Sequence, residues 1–190
     1  MKSIVNTPFY YFTEALPANL CDKIIEQGLK LDFKKAGVNA DNKPDTRLRI
    51  GSVSWFDLDS ETALILQRYV MVANEKANWN CILENAEKPQ FSIYHKAGKY
   101  GWHRDTNVHE TVDSVRKLSI TVQLSSPSDY TGGELQIKNF YGKEIKGCEE
   151  DMKKRGTIVV FPSLLEHQVT PVESGLRYSL VQWYRGPDWR

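Results

Sequence analysis

Apolar positions recur at helical spacing in the first half of the chain and at every second position in the second half, with the changeover near Pro89. Residues 9–12 form an aromatic strand candidate. After Pro17, the positions Leu20, Ile24, Ile25 and Leu29 mark one face of an amphipathic helix that ends about Gly28 and the polar pair Lys34 and Lys35. Residues 37–46, with Asn39, Asp41, Asn42 and Pro44, read as a polar loop, and 50–56 alternate into a strand. Asp59 or Ser60 then caps a second helix with Ala63, Leu66, Val70, Ala73 and Ala77 on one stripe.

Beyond Pro89 the pattern predicts strands over 90–95, 101–105, 117–124, 134–138, 156–161, 166–170 and 176–184. Turn residues separate them at Ala97 and Gly98, at Ser126 to Asp129, at Gly132 and Gly133, at Tyr141 and Gly142, at Pro162 and Ser163, and at Glu173 to Gly175. Short antiparallel strands at this spacing predict a sandwich or barrel, with the early helices covering one outer face.

Composition fits that picture and removes several functions. The 190 residues, 41% of them hydrophobic, suffice for one sizeable core but not for two full domains. A formal charge of +1 gives no global field to gather nucleic acid or an anionic membrane. Apolar runs such as 63–66 and 69–73 are far shorter than the roughly 20 residues that cross a bilayer. The first residues carry no secretory pattern, so a cytoplasmic location is expected. Cys21, Cys81 and Cys148 are odd in number and widely spaced, which predicts thiols rather than a disulfide framework or thiolate zinc site. A monomer or weak homodimer is expected.

The chemistry concentrates in the strand region. His103 and Asp105 sit two residues apart, so a strand would present imidazole and carboxylate to one side. His167 opens a later strand, and a barrel can bring it opposite the pair. Two histidines and a carboxylate form the facial triad of non-haem Fe(II) oxygenases, which leaves the opposite positions of the ion open. Arg177 follows on the last strand, sharing a face with Ser179, Val181 and Trp183. A guanidinium inside an apolar barrel needs an anion, because an unpaired buried charge is very costly. A dicarboxylate co-substrate would supply one, accepting from Arg177 and from the Ser179 hydroxyl. A zinc hydrolase also fits the His and Asp set but leaves Arg177 unexplained, and a cupin-like sensor barrel would hold a metal and a small acid without turnover.

The segments YHKAGKYGWHRD (94–105), LSITVQLSSPSDYTGGELQI (118–137) and GTIVVFPSLLEHQVTPVESGLRYSLVQW (156–183) resemble the Fe(II)- and 2-oxoglutarate-dependent dioxygenases, prolyl 4-hydroxylase-like branch. The resemblance implies a mainly β chain built on a double-stranded β-helix, a jelly roll of cupin type. It divides the single domain into a helical support layer with the first strands over 1–85 and a catalytic core over 86–186. It implies that His103, Asp105 and His167 hold Fe(II), that Arg177 anchors 2-oxoglutarate, and that Tyr94 reaches the same carboxylate. O2 is the oxidant, ascorbate a possible reductant, and succinate and CO2 are released; succinate release distinguishes an oxygenase from both the zinc hydrolase and the sensor barrel. Many prolyl hydroxylase relatives have a tyrosine where this chain has Gln123; Gln123 and Thr121 share a face and can hydrogen-bond, so both are candidate contacts of 2-oxoglutarate in the metal cavity. The implied substrate is a peptidyl residue, prolyl favoured, or a small amino-acid-like molecule. Over the site, 37–49 and 106–116 are lid candidates, with Arg47, Arg49, Trp102 and Trp183 as candidate substrate contacts. His95 and His109 read as surface side chains, and nucleic acid is not expected because the second arginine of base-repair relatives is replaced by Trp183.

Overall fold

The computed structural model describes residues 7–36, 45–106 and 114–188. In chain order its elements are β1 (Tyr10–Phe12), α1 (Ala18–Leu29), β2 (Lys34–Lys35), β3 (Arg49–Ile50), β4 (Ser52–Trp55), α2 (Glu61–Lys76), β5 (Asn85–Ala86), β6 (Gln90–Tyr94) and β7 (Lys99–His103). They continue as β8 (Val115–Gln123), β9 (Tyr130–Gly132), β10 (Leu135–Ile137), α3 (Glu149–Lys153), β11 (Ile158–Pro162), β12 (His167–Val169), β13 (Val172–Gly175) and β14 (Arg177–Gly186). A large antiparallel sheet runs β1-β11-β8-β14-β6-β4-β2, with β5 beside β14, and a smaller one runs β10-β12-β7-β3. Two facing sheets with a few helices make the double-stranded β-helix that the strand spacing and the resemblance lead one to expect.

The large sheet is buried on both faces, and the two faces differ in kind. Along β8, Leu118, Ile120 and Val122 point to the helices together with Leu180 and Tyr184 of β14 and Ile158 and Val160 of β11. Ile24 and Cys21 of α1 and Leu66, Val70 and Ala73 of α2 close that core. The alternate residues, Ser119, Thr121 and Gln123 on β8 and Arg177, Ser179, Val181 and Trp183 on β14, fall on the opposite face, toward the small sheet. Ser60 caps α2, its hydroxyl accepting from the Ala63 N–H at 3.2 Å.

Helix α1 ends at Leu29, one residue past Gly28, as expected, and Gly28 has a packing role besides, because a Cβ there would meet the buried Phe91 ring at 2.7 Å. Several local expectations change. The buried stripe of α1 is Cys21, Ile24 and Gly28, while Leu29 is half exposed. The predicted turns at Gly132 and at Glu173 to Gly175 instead pair as β9 and β13, a two-stranded ladder in which both glycines adopt positive φ. The strand predicted to reach Asp105 ends at His103, where its partner β12 begins, and the Asp105 N–H turns to the Ser163 carbonyl at 3.1 Å. The cysteines are free, as expected. No helix among the described residues is long and apolar enough to cross a membrane. The tip of the first lid candidate, 37–44, and most of the second, 107–113 with His109, lie outside the described residues.

Filling the Gly28 contact tests the packing. Gly28→Ala should destabilise the fold by about 1–3 kcal/mol through overpacking, against a helix-propensity gain of roughly 1 kcal/mol. Chemical denaturation reads the net change. A stability equal to or above wild type would show that the Phe91 ring yields without cost.

Candidate functional site

The antiparallel register of β7 and β12 places His103 directly opposite His167. Each imidazole is oriented the same way: His103 Nδ1 lies 2.8 Å from the Gly101 carbonyl and His167 Nδ1 lies 3.0 Å from the Leu165 carbonyl. A carbonyl can only accept, so both Nδ1 atoms carry the proton and both Nε2 lone pairs are free to coordinate. Those Nε2 atoms meet Asp105, at 3.5 Å from Oδ1 for His103 and 3.4 Å from Oδ2 for His167. One ligand atom from each residue lies within 4.8 Å of the others, a donor set that suits a divalent metal with open positions.

The surroundings fix these groups. Tyr100 stacks on His103 with centroids 3.4 Å apart, and Phe161 meets the His167 ring edge-on at 4.6 Å. The Ser119 hydroxyl donates to Asp105 Oδ2 at 2.7 Å and lies 2.9 Å from the Ser163 hydroxyl. Burial alone would raise the Asp105 carboxyl, but His167, His103 and Arg116 outweigh it and hold it well below the usual carboxylate range. Burial, with His103 adding to it, lowers His167 to about 4 against the attraction of Asp105, so the imidazole is neutral at neutral pH. A carboxylate and neutral imidazoles are the protonation states a metal requires.

One cavity between the sheets joins this cluster to Arg177, Ser179, Thr121 and Tyr94, as the alternation of β8 and β14 predicts. Arg177 is 3% exposed, and its Nε and Nη1 make no hydrogen bond. Among the described residues no carboxylate forms an ion pair with it. Tyr94 sits opposite Arg177 in the sheet, its ring 5.4 Å from the guanidinium carbon. Arg49 and Trp183 line the same cavity, with the Arg49 guanidinium 4.5 Å from the Tyr100 ring centroid. The Trp183 ring lies under Arg116, which also pairs with Glu87, and its buried Nε1 has no acceptor.

Three expectations fail here. Arg47 is exposed and paired with Asp45 at 3.0 Å, away from the cavity. Trp102 faces out of the barrel, as the opposite parity to His103 requires, and packs beneath Lys138. Gln123 lies outside the metal cavity, because its amide is tied to Tyr130 at 2.9 Å in a second cavity behind Arg177. Tyr100, Ser119 and Tyr130 were missed by the sequence reading. Each stood in a quoted segment: Tyr100 at i−3 from His103, Ser119 on the face of Thr121, and Tyr130 at the head of the Gly-Gly turn.

Comparison with known proteins agrees with this geometry. Residues 89–185 match the family model described as the 2OG-Fe(II) oxygenase superfamily. A PKHD-type hydroxylase of Shewanella baltica is 38% identical over 98 residues, covering 50% of this chain and 41% of that protein. The match thus spans about two fifths of the length of such curated relatives. A Pseudomonas putida prolyl-4-hydroxylase superposes with TM-score 0.70 at 21% identity, over 96% of this chain and 94% of that one. A prolyl hydroxylase from Trichoplax adhaerens, in complex with a hypoxia inducible factor peptide fragment, gives 0.69 at 19% identity, over 96% and 84%. These likenesses carry the fold.

The Ser119 contact is separable from the metal ligands. Ser119→Ala should weaken Mn(II) binding by roughly tenfold or more, the usual cost of losing a group that orients a ligand. Calorimetry measures it, and an unchanged affinity would show that Asp105 is held without this hydroxyl.

Proposed function

The chain belongs to the 2OG-Fe(II) oxygenase superfamily, and from that premise we propose that it is an Fe(II)- and 2-oxoglutarate-dependent hydroxylase. The observation that carries this reading is one cavity holding both the His-Asp-His cluster and a buried arginine with two unpartnered N–H groups. In this reading His103 and His167 bind Fe(II) through Nε2, and Asp105 binds through a carboxylate oxygen. When bound, Fe(II) with 2-oxoglutarate and O2 supplies the oxidation, which releases succinate and CO2 and places one oxygen atom in a substrate C–H bond. The protein's part is ligation, orientation and exclusion of water. Arg177 receives the distal carboxylate of 2-oxoglutarate as a charge-assisted pair, with Ser179 and Tyr94 beside it. A zinc hydrolase would leave Arg177 buried without an anion, and a binding barrel that holds a metal and a small acid without turnover is not favoured by the oxygenase family match.

The substrate we propose is a peptide residue, prolyl favoured, in keeping with the peptide held by the Trichoplax adhaerens neighbour. Arg49 and Trp183 are the contacts that the cavity retains from the four sequence candidates. The Trp183 Nε1–H is a buried donor that a substrate carbonyl would satisfy. Ascorbate would act only as a reductant that keeps iron in the Fe(II) state.

Aerobic incubation with Fe(II) and 2-oxoglutarate should release succinate, and release should rise with a proline-containing peptide that gains one oxygen atom by mass. Asp105→Ala and His167→Ala should abolish both. Arg177→Ala should keep metal binding while losing roughly 2–5 kcal/mol of 2-oxoglutarate affinity, at least tenfold. Succinate release that persists in Asp105→Ala would sink the metal assignment. Trp183→Phe should raise the peptide KM several-fold and leave uncoupled succinate release in place.

A further inference from the structure

The cavity behind Arg177 is lined by none of the His-Asp-His residues, yet it meets the metal cavity at Thr121, Leu135 and Arg177. Arg177 therefore stands at the junction of the two. The second cavity also receives Gln123, Tyr130 and Gly133. Gly133 has φ +60°, and a Cβ there would lie 3.0 Å from Arg177 Cδ and 3.2 Å from Tyr130 Cε2. The bare backbone of the Gly-Gly turn thus lets the arginine side chain and the phenol pack side by side.

The hydrogen bonds fix where the phenol proton must go. The Gln123 Nε2 lies 3.2 Å from the Ser125 carbonyl and 2.9 Å from the Tyr130 hydroxyl. Since a carbonyl only accepts, the amide nitrogen faces both groups, and the Tyr130 oxygen accepts from Gln123. The neighbouring Arg177 guanidinium has only donors to offer. A phenol oxygen that accepts from one neighbour and faces donors on the other must aim its own O–H at a third partner. Tyr130 is 3% exposed, and among the described residues nothing accepts that proton. Burial raises its pKa by more than Arg177 lowers it, so the proton is present at neutral pH. The same junction holds the unpartnered Nε and Nη1 of Arg177. Glu134 and Glu149 line the second cavity too, but neither pairs with Arg177.

We propose that Tyr130 donates its O–H to the distal carboxylate of the 2-oxo diacid beside Arg177, with Gln123 as the positioning residue that aims it. The pair then selects a 2-oxo dicarboxylate over a 2-oxo monocarboxylate. The assignment rests on Arg177 being the co-substrate anchor. It makes Gln123 an indirect contributor, acting from the strand position where many relatives carry a tyrosine.

The test is binding to the Mn(II)-loaded protein, read by calorimetry with two ligands: 2-oxoglutarate, and 2-oxohexanoate, which ends in an ethyl group in place of the carboxylate. Tyr130→Phe should lose roughly tenfold or more for 2-oxoglutarate, as for a hydrogen bond to a charged group, and nothing for 2-oxohexanoate. Gln123→Met should lose several-fold for 2-oxoglutarate only. Arg177→Ala, measured in parallel, should lose most of the preference for the diacid. Wild-type 2-oxoglutarate affinity in Tyr130→Phe, or an equal loss for both ligands, overturns the proposal while the anchor role of Arg177 stands. A preference for the diacid that stays at its wild-type size in Arg177→Ala overturns the anchor reading itself, and this proposal with it.

Discussion

The strict two-residue period of β8 and β14 is the constraint on which the molecule depends. Both strands are covered on both sides, by helices on one face and by the small sheet on the other. Their alternate residues are accordingly sorted into an oily set, Leu118, Ile120, Val122, Leu180 and Tyr184, and a reactive set, Ser119, Thr121, Gln123, Arg177 and Ser179. A slip of one residue would drive the Arg177 guanidinium into the helix core and expose leucines to the cavity. Fold and site are therefore specified by one pattern, and the apolar half of it secures the register of the polar half.

That pattern was open to reading from the residues alone. Alternation showed that Arg177, Ser179, Val181 and Trp183 share a face, and the lack of an obvious carboxylate partner pointed to a bound anion. The His103 and His167 encounter was only partly legible. Parity put His103 inward, but the cross-strand pairing with His167 is a matter of register between strands about sixty residues apart, which local sequence does not encode. Gly28 was half legible for a related reason. Propensity marks glycine near a helix end, and α1 does end one residue later, but the distant Phe91 ring that requires the missing Cβ is not encoded nearby. Tyr130 was hidden in the Gly-Gly turn, since what gives it a role is the Gln123 amide across the cavity and not its neighbours in sequence.

The metal cluster and the arginine impose opposite demands on the protein. Asp105 is held ionised by His167, His103 and Arg116, so a cation is welcome at that end of the cavity. Arg177 lacks a carboxylate among the described residues, so the other end welcomes an anion. Leaving either group buried without a counter-charge costs stability. A molecule with an oxo-acid head and a carboxylate tail meets both demands at once, which is why the same burial that weakens the unliganded protein favours a 2-oxo diacid over a simple metal-binding anion.

The remaining length of the cavity follows from β14. Same-face residues on a strand are about 6.6 Å apart, so Arg177 and Trp183 stand roughly 20 Å apart along one wall. Ser119 pairs with Trp183 across the sheet and donates to Asp105, so the His-Asp-His cluster stands toward the Trp183 end and Arg177 toward the other. The Arg116 guanidinium lies above the indole at the Trp183 end, and Arg49 of the small sheet lines the same cavity. Glu87 ties Arg116 to Arg185, and Arg116 also donates to the Asp105 carbonyl at 3.3 Å. The same ion-pair network therefore braces a metal-ligand candidate and the far wall of the cavity. Any displacement of the Trp183 indole would be felt at Asp105 through Arg116, because one guanidinium touches both.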